Sequence, residues 1–187
     1  MCTRKTCLFS HDTTCKDDHT SCIMGIRKTM RENRNGERRF FKMKASKNYK
    51  FWFATGSQDL YGDECLRKVA EHSRIIVEEL NKSGVLPYEV VLKPTLITNE
   101  VIRRTFNEAN EDEECAGVIT WMHTFSPAKS WILGLQEYRK PLLHLHTQFN
   151  EEIPYDTIDM DFMNENQSAH GDREYGHIVT RMRMERK

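Results

Sequence analysis

The sequence predicts an α/β domain, doubly wound around a mostly parallel sheet and layered helix–sheet–helix. Short runs rich in β-branched and aromatic residues alternate with stretches whose apolar residues recur at helical spacing. Strands separated in this way need crossover connections, and crossovers give parallel pairing with both sheet faces covered. The length of 187 residues suits one sizeable core.

Tyr49 to Thr55 reads as an aromatic-rich strand ended by Gly56-Ser57. Asp63 is placed to cap a helix in which Leu66, Val69, Ile76, Val77 and Leu80 recur on one side, with Gly84 as the stop. Tyr88 to Leu92 is a second strand, closed by Pro94, and Thr98 caps a helix burying Val101, Ile102, Phe106 and Ala109. Ala116 to Trp121 is the third strand. Ser126-Pro127 starts a helix, serine at the cap and proline in the first turn, that buries Trp131, Ile132 and Leu135. Pro141 to His146 is the fourth strand, and a final helix begins near Asn166. Met160, Phe162 and Met163 read as core packing. This order is that of a flavodoxin-like or Rossmann-like three-layer domain, whose ligands gather at the carboxyl ends of the strands. Gln58, His123, His146 and Gln148 all fall there.

The net charge of zero conceals an asymmetry. Residues 1–42 hold ten basic and five acidic residues, leaving 18 basic and 23 acidic in the remainder. A mildly acidic body lacks the clustered basic face that phosphates require, so nucleic acid is not an expected partner. No apolar stretch approaches the ~20 residues that span a bilayer. The amino terminus has no continuous apolar run of the secretory type. No membrane association is expected, and the expected location is the cytoplasm. There Cys65 and Cys115 stay reduced, as small core or near-surface residues.

Residues 1–42 are expected to lie outside the fold, disordered or upstream DNA read as protein. Cys2, Cys7, Cys15 and Cys22 interleave with His11 and His19, but without the close C-x2-C pairs of zinc modules. Met43 is the expected translation start. The first strand follows it closely, and Glu37-Arg38-Arg39 can be encoded as GAA-AGG-AGG, a ribosome-binding sequence three codons upstream.

Three polar stretches carry the candidate chemistry. Gly56-Ser57-Gln58-Asp59-Leu60-Tyr61-Gly62 stands where a dinucleotide fold places G-x-G-x-x-G, but only its first and last glycines are present. A loop offering the Gln58 amide and the Tyr61 hydroxyl suits sugar hydroxyls better. In Trp121 to Lys129, Trp121 and Phe125, with nearby Trp131, serve either the core or the C–H face of a sugar. In Asn166 to Glu174, Gln167 and His170 lie three apart and share one side of a helix. His144 and His146 share a strand face at a spacing that metal-dependent hydrolases use, with Asp159 and Asp161 as candidate carboxylates. The alternative is two polar residues at the strand's end, bonded to backbone or sugar.

In their order and spacing, G-S-Q-x-L-Y-G at 56–62, W-M-H-T-F-S-P-A-K at 121–129 and N-x-N-Q-x-A-H-G at 164–171 resemble the amino-terminal region of L-arabinose isomerases. The resemblance runs from about Asn48 to about Arg183. It implies conversion of L-arabinose to L-ribulose, a proton moving between C2 and C1 through an enediol beside a divalent metal, typically Mn²⁺. It places the two glutamates and two histidines of that chemistry in the carboxyl-terminal two-thirds of a longer subunit. Residues 43–187 would then be an amino-terminal domain ending before the catalytic regions. It would contain no catalytic residue or metal ligand, bind no Mn²⁺ and be inactive alone. The same resemblance assigns Gln58, Leu60, Tyr61, Gln167 and His170 to substrate contacts that complete a neighbouring subunit's site in a homo-oligomer. Glu165 departs from the family's usual apolar residue, and His177-Ile178-Val179-Thr180 from a more apolar, small-residue sequence. Other readings are a stand-alone sugar- or nucleotide-binding module without catalysis, and a metal hydrolase built on His144 and His146.

Overall fold

A computed structural model describes residues 48–125 and 127–184. The expectations for residues 1–42, for a start at Met43 and for a cap at Ser126 lie outside the described residues. Four parallel strands form one sheet: β1 (Lys50–Gly56), β2 (Glu89–Leu92), β3 (Cys115–Met122) and β4 (Leu142–His144), in the order β2-β1-β3-β4. The doubly wound α/β class is thus the one observed. Strand β1 lies between β2 and β3 and is buried from Trp52 to Gly56, as a strand covered on both faces must be.

The helices are α1 (Gly62–Ser83), α2 (Asn99–Glu111), α3 (Ile132–Glu137), α4 (Met160–Glu165) and α5 (Ser168–Arg181). Trp52 and Ala54 point from β1 into a core shared with Phe106 of α2, Trp131, Leu135 of α3 and Tyr175 of α5. The alternate β1 residues face the other way, since side chains alternate across a strand. There the Thr55 hydroxyl bonds that of Ser73 on α1 at 2.7 Å, and the Phe53 and Trp121 rings lie 6.4 Å apart. Helix α1 therefore covers one face, and α2, α3 and α5 the other.

Local chemistry accounts for most boundaries. Thr98 accepts the Val101 N–H at 3.3 Å, the expected cap of α2. Gly84 ends α1 in the left-handed region, at φ 60°, which a glycine adopts without strain. Asp63, expected as the cap of α1, instead sits in its first turn. A 3-10 turn at Asp59–Tyr61 runs straight into the helix, so the position before it, Tyr61, is already helical. On α1 the buried polar Ser73 takes a place in the apolar face, whereas Leu66 is only half-buried.

Three further expectations need correction. The helix after β3 begins as a 3-10 turn at Ala128–Trp131, with Pro127 just ahead of it and Ile132 half-buried. β4 pairs only over Leu142–His144, and the ladder closes with the Leu145 N–H donating to the Thr120 carbonyl at 2.8 Å. The final helix begins near Asn166 as expected, and a short separate helix, α4, precedes it; the break lies at Asn166, whose side-chain amide donates to the Phe162 carbonyl at 2.8 Å. Met160 and Met163 are exposed and Phe162 is half-buried, so this trio is not core. Helix α4 buries none of its residues. Cys65 and Cys115 are buried free thiols, whose pKa values burial raises, that of Cys65 to about 11. No helix among the described residues is long and apolar enough to cross a membrane.

Candidate functional site

The chain runs from β1 outward to β2, then returns across β1 to β3. The loops after β1 and β3 thus flank the point where the winding reverses, the usual ligand crevice of such sheets. Hydrogen bonds join these loops. The His123 N–H donates to the Gly56 carbonyl at 3.3 Å, and the buried Ser57 and Thr124 hydroxyls lie 3.1 Å apart. Gln58 follows Ser57 and is half-buried. Leu60, in the 3-10 turn, is 68% exposed. Tyr61 closes that turn, and its hydroxyl donates to the Phe125 carbonyl at 3.2 Å. Burial, with Cys65 adding to it, raises the Tyr61 pKa, so this hydroxyl remains a neutral donor.

Helix α5 joins the same edge. A Cβ on Gly171 would lie 2.5 Å from the Thr124 carbonyl oxygen, so only glycine lets the helix approach this closely. His170 stands beside it, its ring 4.3 Å from that of Phe125, and its Nε2 pairs with Glu174 at 3.0 Å. Gln167 precedes the helix, its carbonyl accepting the N–H groups of His170 and Gly171. Gln148 caps the helix: its side-chain oxygen accepts the Ser168 hydroxyl and the Ala169 N–H, and its amide donates to the Asn166 carbonyl at 2.7 Å. Gln148 is therefore a structural residue, although it stands where a ligand group was expected.

Thr124 and Phe125 form the junction. Ser57 ties Gln58's loop to Thr124, Gly171 abuts Thr124, and Tyr61 and His170 both touch Phe125. Phe125 is itself 39% exposed, whereas Trp121 and Trp131 belong wholly to the core. Of the aromatic candidates, only Phe125 offers a face to a ligand.

Two histidine pairs stand near this edge, one around the buried His123 and one ending at the exposed His146. His123 is 1% exposed, stacks on Trp121 at 4.3 Å and bonds His72 at 2.7 Å, Nε2 to Nδ1. His72 in turn stacks on Phe149 at 3.7 Å. Burial, then the neighbouring His72, lowers the His123 pKa to about 3, and burial lowers that of His72. Both rings are neutral at physiological pH. His144 bonds Asp172 at 2.9 Å and lies parallel to His146 with ring centres 5.9 Å apart. Its partner is thus a carboxylate of α5, not the backbone or ligand group expected. Asp159 caps α4 by accepting the Phe162 N–H at 2.8 Å. Among the described residues no group of three His, Cys, Asp or Glu side chains is arranged to hold a metal.

Ser57, Thr124, Gln148 and Asp172 hold this edge together, a role the sequence motifs do not assign to them. Asp172 carried a usable signal, a carboxylate one residue after a glycine in a helix start. Glu165, the departure in the third motif, pairs with Lys68 of α1 at 2.8 Å.

The family model for the L-arabinose isomerase N-terminal domain matches residues 45–187. The chain is 63% identical over 145 residues to the L-arabinose isomerase of Halalkalibacterium halodurans, an alignment covering 78% of this chain and 29% of that protein. It is 67% identical over 139 residues to that of Geobacillus thermodenitrificans, covering 74% of this chain and 28% of the other. For the L-arabinose isomerase of Bacteroides thetaiotaomicron the identity is 62% over 139 residues, with 74% and 27% covered. The chain spans under a third of the length of these relatives.

Proposed function

Since this chain belongs to the L-arabinose isomerase family, matching its amino-terminal domain, we propose that it presents sugar contacts for the isomerisation of L-arabinose to L-ribulose. The bond-making chemistry then falls to the rest of the enzyme. The observation that carries this reading is the shared anchorage of Gln58's loop (through Ser57), Tyr61 and His170 on Thr124 and Phe125, at the reversal point of the sheet.

The contact set is polar and amphipathic. Gln58 and Gln167 offer amide donors and acceptors, His170 an imidazole and Tyr61 a phenol, so a polyol is held without burying an unpaired charge. Leu60 adds an exposed apolar side chain suited to sugar C–H groups. Its exposure also fits a surface that a neighbouring subunit covers in a homo-oligomer. Mn²⁺, which the family implies, does not fit the described residues: His144 is committed to Asp172 and Asp159 to a helix cap. A proton shift between two carbons needs an acid, a base and charge stabilisation. This domain's part is to fix the sugar's orientation while groups elsewhere move the proton.

The test is a graft. Residues 45–187 replace the matching segment of the Geobacillus thermodenitrificans isomerase, and ketose formation from L-arabinose is measured. The graft should isomerise L-arabinose, and His170→Ala within it should raise KM while Mn²⁺ affinity is unchanged. A folded graft without activity, or a His170 variant with unaltered KM, contradicts the reading.

A further inference from the structure

We propose that Asp172, together with His144, is a positioning residue for substrate binding, locking the first turn of α5 against the carboxyl edge of the sheet. The proposal rests on the sugar-contact reading of Gln167 and His170, which that turn carries.

Asp172 is fully buried, and its Oδ1 accepts two bonds, from the Met122 N–H at 3.0 Å and from His144 Nε2 at 2.9 Å. Each partner belongs to a different strand. Met122 ends β3, and the β3–β4 ladder stops at Thr120 and His144, two residues short of it. The Met122 N–H therefore has no ladder partner on that side, and the carboxylate of α5 takes it. One side chain thus joins α5 to β3 and β4 at the residue where the site loop begins.

The neighbouring geometry makes this bond directional. Gly171 brings the helix backbone against the Thr124 carbonyl, and His170 lies on Phe125. A rotation of α5 that broke the Asp172 bonds would drive the Gly171 backbone into that carbonyl or carry His170 off the ring.

Stability alone does not explain the residue. A buried carboxylate–imidazole pair is often no better than apolar groups of the same shape, because both partners lose water. Among the described residues, Asp172 Oδ2 finds no hydrogen-bond partner, a further cost in a buried site. What the pair adds over an apolar contact is a fixed orientation, which packing by itself specifies less sharply.

In the graft described above, Asp172→Asn keeps the size of the side chain and an oxygen for Met122 but removes the charge. KM for L-arabinose should rise by about three- to tenfold, the scale of one neutral hydrogen bond, with kcat and Mn²⁺ affinity nearly unchanged. In a Gln167→Ala/His170→Ala background the same substitution should add little, since the groups it positions are gone. An equal KM rise in both backgrounds overturns the proposal, as does an unaltered KM in Asp172→Asn when His170→Ala raises it. If Gln167→Ala/His170→Ala itself leaves KM unchanged, the sugar-contact reading fails and the proposal with it. Should Asp172→Asn not fold, His144→Gln, read in the same two backgrounds by the same criteria, decides the matter.

Discussion

At the scale of single residues, this domain works with carboxamides, a phenol and an imidazole. Gln58, Gln167 and His170 each offer a sugar one or two hydrogen bonds. In the grafted enzyme each change to alanine should weaken substrate binding by roughly 0.5–1.5 kcal/mol, read as a rise in KM. The motifs made these residues legible, yet not their support, because Thr124 and Ser57 look like ordinary loop residues until the fold brings their hydroxyls to 3.1 Å. His123 was legible as a residue of the strand edge but not as a buried base. Its pKa near 3 lies below its ordinary value of 6.5, so between these limits the unfolded chain binds the extra proton. Stability should therefore fall as pH drops below about 6.5, with His123 contributing at most about 1.4 kcal/mol per pH unit. Urea unfolding at pH 7 and pH 5 checks this: His123→Gln should shrink the difference in midpoint, and an undiminished difference would count against it.

At the scale of elements, the strands and α1, α2 and α5 were readable from periodicity and caps, for Thr98 and Gly84 act where their chemistry places them. The end of the chain was less readable for an identifiable reason. Asn166 and Gln167 sit between two helices whose break depends on the side chains of Asn166 and Gln148, and the second of these comes from a distant loop. Local pattern cannot show a cap supplied from elsewhere. Met160 and Met163 were misread because apolar type alone does not say that a helix lies beyond the core. Helix α5 offers two predictions. Gln148→Ala removes its cap and should cost about 1 kcal/mol. Gly171→Ala should cost about 1–3 kcal/mol, as overpacking against the Thr124 carbonyl does, and should raise KM as well because the helix must move. A melting midpoint for Gly171→Ala equal to that of the parent would show that the close approach is not needed.

At the scale of the whole molecule, the fold class was legible because alternating strands and helices leave few topologies. The strand order followed only from the structure, which places the reversal between β1 and β3. The proposed division of labour gives this domain the sugar contacts for a neighbouring subunit and leaves the chemistry to other parts of the enzyme. The 187-residue chain by itself should therefore form no ketose from L-arabinose with Mn²⁺ supplied. Mixed oligomers put this division to the test. One grafted subunit carries Gln167→Ala and His170→Ala; the other keeps these residues but has its carboxyl-terminal glutamates changed to glutamine. Each is assayed at low L-arabinose, alone and after the two are dissociated and reassembled together. Activity well above the sum of the separate preparations is the predicted result, since intact contacts then meet intact chemistry across the interface. Activity equal to that sum, in oligomers shown to contain both subunits, would contradict the account.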